Sequence, residues 1–236
     1  MPAPDPPPIA WLAAANRATL TARLLPATVH DVSNALQVMS GVAEMLGFGD
    51  DRATTGLRAQ SITAQAMSAH ASMQALVAFN RSDPFDSQPA TEVRTACERA
   101  LGLRAHALRK LAIAVAISGG EGVSVAGSPL VIQVLLNLVI NVEQLSTGRK
   151  AATLTIAIAE SGDTVTIDVA DNGPGVAPDV LPQLFGWPPA AVPVGTLGIG
   201  LHVSRGLAMH AGGTLVHVRD GRPGACFRLT LPRLRG

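Results

Sequence analysis

Between Val29 and Leu46 the chain reads VHDVSNALQVMSGVAEML, with Val29, Val32, Leu36, Met39, Ala43 and Leu46 spaced 3, 4, 3, 4 and 3 apart. That is the a/d repeat of a helix packing in a bundle, and it commits this part of the chain to burying one long apolar stripe. Ile62, Ala66, Ala69, Met73 and Leu76 repeat the pattern in steps of 4, 3, 4 and 3. The spacing predicts helices over about 9–46 and 54–81, stopped between them by GFGDD at 47–51 with Gly47 as C-cap. Two helices cannot close a core alone, so their seams argue for a dimer that makes four helices. Pro26 removes the backbone hydrogen bond to the Ala22 carbonyl, which predicts a kink or break one turn before His30.

One residue off the seam stands His30, with Asn34 and Gln37 four and seven positions further along the same flank and Asp31 beside them. A histidine next to an aspartate on a helix is ordinarily a solvated pair. A histidine, a carboxylate and an amide along the shoulder of an apolar seam are nevertheless more than packing requires.

Composition removes several function classes. The net charge is +1 with both signs scattered, and aromatic residues make up 3% of the chain with no Tyr, so neither nucleic acid nor an anionic membrane is an expected partner. Cys97 and Cys226 are the two cysteines, without CxxC or a nearby histidine pairing, which indicates no disulfide framework or zinc site and fits a reducing cytosol. The first 25 residues lack a basic region before their apolar run, so neither a signal peptide nor a spanning helix is read there, and a cytoplasmic protein is expected. Residues 1–8 are Pro-rich and expected to lack structure.

After SDPFDSQP at 82–89, read as a linker, the pattern becomes mixed. Helices are predicted over about 91–109, 128–145 and 200–211, with Ser128 as N-cap and Pro129 at the first helical position of the second. Strands are predicted over about 112–117, 122–126, 154–160, 165–171, 214–218 and 226–231. The fold class expected is α+β: a helical hairpin over 9–82, then an α/β sandwich from about residue 90 with helices on one face of a mixed sheet.

Three stretches of this second part look like pieces of one phosphate site. In NLVIN, Asn137 and Asn141 at i and i+4 share a helix face inside an apolar run, and buried amides need partners that a nucleotide with its Mg²⁺ could supply. DNGPG, Asp171 to Gly175, follows a strand: a carboxylate there can accept from an exocyclic amine, while Gly173 and Gly175 allow close backbone approach. GTLGIGL, Gly195 to Leu201, is a Gly-rich turn opening a helix, whose N–H groups and dipole favour phosphate.

With these motifs in this order, the chain resembles a bacterial two-component sensor histidine kinase from about residue 25 onward. The H-box is at His30, the N-box at Asn137 to Leu145, the G1 box at Asp171 to Gly175 and the G2 box at Gly198 to Leu201, and HAGGTLVHV…GACFRLTLP resembles the closing strands. The resemblance implies a dimerisation and phosphoacceptor hairpin followed by an ATP-binding domain of the GHKL type. It implies His30 as phosphoacceptor, Asp31 as its hydrogen-bonding partner and base, and Asn34 as a polar positioner. Asn141 would hold Mg²⁺, Asn137 would lie near the phosphates, Asp171 would read the adenine amine, and Gly173, Gly175, Gly198 and Gly200 would line the ATP site. The partners implied are a second copy of the chain, a response regulator receiver domain, and a separate sensory partner, because about 25 residues before the H-box are too few for a sensor.

The chain departs from that pattern in its N-box, where Val142 and Leu145 replace alanines, in the G2 box, where Thr196 stands at the first glycine, and in the lid. Between Gly175 and Gly195 there is no Lys or Arg, although Leu184-Phe185 resembles the F-box. The expected activity is ATP-dependent autophosphorylation of His30 and transfer to a regulator aspartate; the rival is a histidine phosphotransfer relay with a degenerate ATP-binding domain.

Overall fold

The computed structural model describes residues 6–46, 52–83, 85, 90–187, 199–219 and 221–234. The expected C-cap at Gly47, most of the 82–89 linker, the second half of the lid and the G2 residues 195–198 lie outside them. The chain divides into two compact units, Met1–Leu20 with Ser82–Gly236, and Thr21–Arg81.

The Thr21–Arg81 unit consists of most of α1 (Ile9–Met45) and of α2 (Arg52–Arg81). Helix α1 runs through Pro26 without interruption, where a break was an alternative to a kink. The Thr28 hydroxyl donates to the Leu24 carbonyl and is satisfied within the same helix. Leu24 and Ala35 are buried on α1 and Leu76 and Phe79 on α2, whereas Val29, Leu36 and Met73 of the two apolar seams are each more than half exposed.

The other unit is a layered α/β domain. Its elements are β1 (Thr91–Glu92), α3 (Val93–Lys110), β2 (Ala114–Ser118), β3 (Ser124–Val125), α4 (Ser128–Ser146), β4 (Thr153–Ser161), β5 (Thr164–Asp171), α5 (Gly200–His210), β6 (Thr214–Val218) and β7 (Cys226–Leu234). The sheet order is β1-β3-β7-β5-β4-β2, with β6 also on β7. All pairs are antiparallel except β2 with β4. Two-residue alternation gives the sheet one apolar face. Ile156 lies opposite Val169, Ile158 opposite Ile167, and Leu229 opposite both Ile167 and Leu215. All six are buried, as are Ala96, Cys97, Val203 and Leu207 on the helices that cover the sheet.

Helix α4 begins one residue earlier than expected: its N-cap is Gly127 at φ 81°, a left-handed conformation that glycine adopts without strain. From Leu130 to Val142 it is buried nearly all round, with only Ile132 and Asn141 partly exposed. A helix apolar on every side needs cover on every side. One side packs toward the sheet, and the first turns of α1 reach another through Ala13 and Asn16; Leu12, Ala13, Asn16 and Leu20, stepping by one, three and four, are all buried. Ile9 reaches Gly206 of α5, where an added Cβ would meet its side chain at 2.4 Å. This is why Met1–Leu20 joins the C-terminal unit, although heptad spacing groups 9–82 as one hairpin. The Pro129–Ser146 window has a mean hydropathy of 1.4 and is 83% buried, so its apolar character is that of a core helix.

Candidate functional site

The three residues singled out on α1 are brought together. The Asn34 amide nitrogen lies 3.2 Å from Nδ1 of His30, one helical turn away. Asp31 Oδ1 lies 3.9 Å from the same nitrogen, an ion-pair separation and too long for a hydrogen bond. His30 and Asn34 are exposed, and the Asp31 side chain is one-third exposed.

At the end of β5 the DNGPG loop is tied by its own acid. Asp171 Oδ1 accepts from the Gly173 amide at 2.6 Å and from the Ala225 amide at 3.4 Å, while the Asp171 amide donates to the Ala225 carbonyl. The carboxylate folds so closely over Gly173 that a Cβ there would stand 2.4 Å from Oδ1. Gly175, at φ 76°, backs onto the Gly224 carbonyl, where a Cβ would approach to 3.1 Å. A side chain at Gly173 would displace the Asp171 carboxylate, and Gly175 is selected by its left-handed backbone. Asn172 secures the loop from the other side, accepting from the Thr153 amide and donating to the Ala151 carbonyl. Oδ1 of Asp171 is thus committed to the backbone. A cavity of about 540 Å³ adjoins this loop, lined among others by Asp171, Gly175, Thr153, His217, Arg219 and Arg222, and by neither Asn137 nor Asn141.

The N-box asparagines differ from each other. Asn141 is half-buried, and its side chain has no hydrogen-bond partner among the described residues, so its carbonyl oxygen suits a hard cation such as Mg²⁺. Asn137 is 5% exposed, and protein groups supply its partners. Its nitrogen donates to Asn16 Oδ1 and Ser204 Oγ, each at 3.0 Å, and its oxygen accepts from Asn16 Nδ2 at 3.0 Å. Gln133 completes the cluster, donating to Asn16 Oδ1 and to the Ala13 carbonyl. Gly200 opens α5 against Asn137, where a Cβ would come within 3.0 Å of the amide oxygen. Gly198 lies outside the described residues.

Sequence reasoning missed Asn16, Gln133 and Ser204; a signal was present in the polar Asn16 and Gln133, each standing in an otherwise apolar helical stretch. It also missed what holds the described half of the lid. The short 3₁₀ turn Leu181–Gln183 leads into Phe185, whose carbonyl accepts from His202 Nδ1 at 3.0 Å. The Phe185 ring lies under the Arg205 guanidinium at 5.5 Å, and Trp187 packs on His202.

Residues 127–235 match the family model described as "Histidine kinase-, DNA gyrase B-, and HSP90-like ATPase". No curated protein matches the sequence. Among solved structures, the catalytic domain of the histidine kinase ThkA superposes with a TM-score of 0.55 and 20% identity, over 61% of this chain and 94% of that one. The mycobacterial sensor histidine kinase MprB gives 0.51 and 17%, over 63% and 99%. Full-length ShkA gives 0.53 and 18%, over 91% of this chain and 46% of that one. Residues 127–235 thus match the histidine kinase-, DNA gyrase B- and HSP90-like ATPase family, and the domain has the fold of histidine kinase catalytic domains.

Proposed function

We propose that the protein is an ATP-dependent protein-histidine kinase that autophosphorylates His30 and passes the phosphoryl group to an aspartate of a separate response regulator. The observation that carries this reading is the His30–Asn34–Asp31 cluster on one helix of a chain that also holds the ATPase domain. Asp171 would take the adenine amine on Oδ2, Asn141 would hold Mg²⁺ at the phosphates, and Gly173, Gly175 and Gly200 would allow the nucleotide close approach. ShkA, which shares the fold, has been solved in complex with AMPPNP. With Nδ1 turned to Asn34 and Asp31, Nε2 of His30 would attack the γ-phosphorus. The bond to the β–γ bridging oxygen breaks, ADP leaves, and the ring's Nδ1 proton passes to Asp31 or water. The uncovered Val29, Leu36 and Met73 support the Thr21–Arg81 helical pair as a dimerisation element.

The relay reading is favoured by one observation, the saturation of Asn137 by Asn16 and Ser204. Incubation with γ-labelled ATP and Mg²⁺ separates the two. A kinase acquires acid-labile, base-stable label that is lost in His30→Ala; a relay acquires none from ATP and exchanges label only with a phosphorylated regulator.

A further inference from the structure

The four polar side chains between α1, α4 and α5 form a closed circuit. Asn16, Gln133, Asn137 and Ser204 are 4%, 1%, 5% and 0% exposed. The orientation of every amide is fixed by one group that can only accept. The Ala13 carbonyl requires the NH₂ of Gln133, which then requires Oδ1 of Asn16, which places Nδ2 of Asn16 on Oδ1 of Asn137. Asn16 and Asn137 form a reciprocal amide pair, and the second N–H of Asn137 goes to Ser204. An amide nitrogen has two N–H groups, and both of those on Asn137 are used. Asn137 can donate to a phosphate only by giving up Asn16 or Ser204. Ser204 belongs to α5 next to the Gly200 turn, inside the domain; Asn16 belongs to a segment that arrives from the far end of the sequence.

We propose that residues 9–20 of α1 are a latch on the ATP-binding domain, in which Asn16 is a positioning residue that competes with nucleotide phosphate for Asn137. Docked, the segment holds α4 through Asn16 and the Ala13 carbonyl, and seats Ile9 on Gly206. Undocked, it frees the amide of Asn137. Binding of nucleotide and docking of the segment are then mutually exclusive and weaken each other by the same factor. The latch rests on the nucleotide-binding reading given above and deepens it. It gives an ATP-binding domain without a lid cation a means of staying empty until its N-terminal helix is drawn away.

The test uses the full chain and the probe Mg²⁺-AMPPNP. Affinity is measured by calorimetry for the wild type, for Asn16→Ala, and for Gly206→Leu, which displaces Ile9 without touching the polar circuit and keeps the test valid if Asn16→Ala does not fold. Amide hydrogen exchange across residues 9–20 is followed with and without the probe. The expected result is binding at least fivefold tighter in the variants, and exchange in the segment at least tenfold faster in the wild type when the probe is bound. Binding by all proteins at one affinity, or slower exchange in the segment on binding, overturns the latch alone. Absence of binding in the wild type and both variants overturns the latch together with the nucleotide reading.

Discussion

The amide nitrogen of Asn34 approaches Nδ1 of His30 to 3.2 Å, closer than the Asp31 carboxylate at 3.9 Å. The contact suits either tautomer, because the Asn34 amide can present its nitrogen or its oxygen to Nδ1. Attack by Nε2 needs the proton on Nδ1. Asn34 satisfies that state by turning its oxygen to the ring, and Asp31 by moving about 1 Å to hydrogen-bond distance. Asn34 can therefore serve either tautomer, and Asp31 only the nucleophilic one.

For the kinase reading, His30→Ala abolishes labelling from γ-labelled ATP while leaving nucleotide affinity unchanged, because His30 is exposed and lies off the apolar seam. Asp31→Asn slows labelling by tenfold or more, in the range of a lost general base. Asn34→Ala impairs dephosphorylation of the phosphorylated regulator more than transfer from phosphorylated His30, since a positioned water needs the amide and the transfer does not. Rates of regulator phosphorylation and hydrolysis, measured side by side in all three variants, check the set; equal hydrolysis by wild type and Asn34→Ala would remove Asn34 from that role.

Asp171→Asn preserves the acceptor that Gly173 and Ala225 need, provided the amide oxygen takes the Oδ1 place, and puts an NH₂ where an amine should be received. Loss of a charge-assisted bond is worth roughly 1.5–3 kcal/mol, so nucleotide affinity falls about tenfold or more with little change in stability. Asp171→Ala removes the loop tie as well and lowers both. Calorimetry and thermal melts on the two variants distinguish recognition from loop support; unchanged affinity in Asp171→Asn places the nucleotide elsewhere.

Most elements were legible because each carries its own period. Two-residue alternation in TLTIAIAES and TVTIDVAD and the 3–4 steps of α1 and α2 reflect local side-chain geometry, which a sequence displays directly. The DNGPG loop was legible for a related reason: its acid and glycines are contiguous and Asp171 holds the Gly173 amide two residues on, whereas the contacts of Gly175 with Gly224 and of Asp171 with Ala225 were not. The role of Asn16 was not, because its partners lie 117 and 121 positions away and no local pattern joins them. The same distance hid the division of α1. Its heptad spacing is continuous with a bundle, and only the all-round burial of α4 reveals that another helix segment must cover it. The parallel pairing of β2 with β4 was equally hidden, since register between separated strands depends on the intervening helix.

Cys97 is fully buried on α3, and burial, with a smaller contribution from Glu98, pushes its thiol up from an ordinary 9.0 to about 12. The folded state therefore keeps a proton that the unfolded chain releases above about pH 9, and stability falls as pH rises through the window between those values. Below pH 8 this group contributes no pH dependence. At pH 8 the native Cys97 thiol resists maleimide and is labelled only after denaturation, as peptide mapping by mass spectrometry can follow; rapid native labelling would show that α3 opens.

Arg104 on α3 and Glu143 on α4 form a two-pronged ion pair with side chains only 10% and 7% exposed, and Arg104 Nε meets Glu143 Oε1 at 2.8 Å. Glu143 stands two residues past Asn141 on the same helix, so this pair anchors the N-box helix to its neighbour. Removing one partner strands a buried charge, which costs about 3–5 kcal/mol, whereas replacing both by apolar groups of similar size is often neutral or stabilising. Glu143→Ala should therefore lower the urea midpoint of the domain strongly, and Arg104→Met with Glu143→Leu should restore most of the loss. If the pair serves only to fix α4 on α3, nucleotide affinity in the double variant stays within about twofold of wild type, because apolar packing still holds the helix. If affinity falls together with recovered stability, the pair sets the rotation of α4 and hence the aim of Asn141, which calorimetry on the double variant decides.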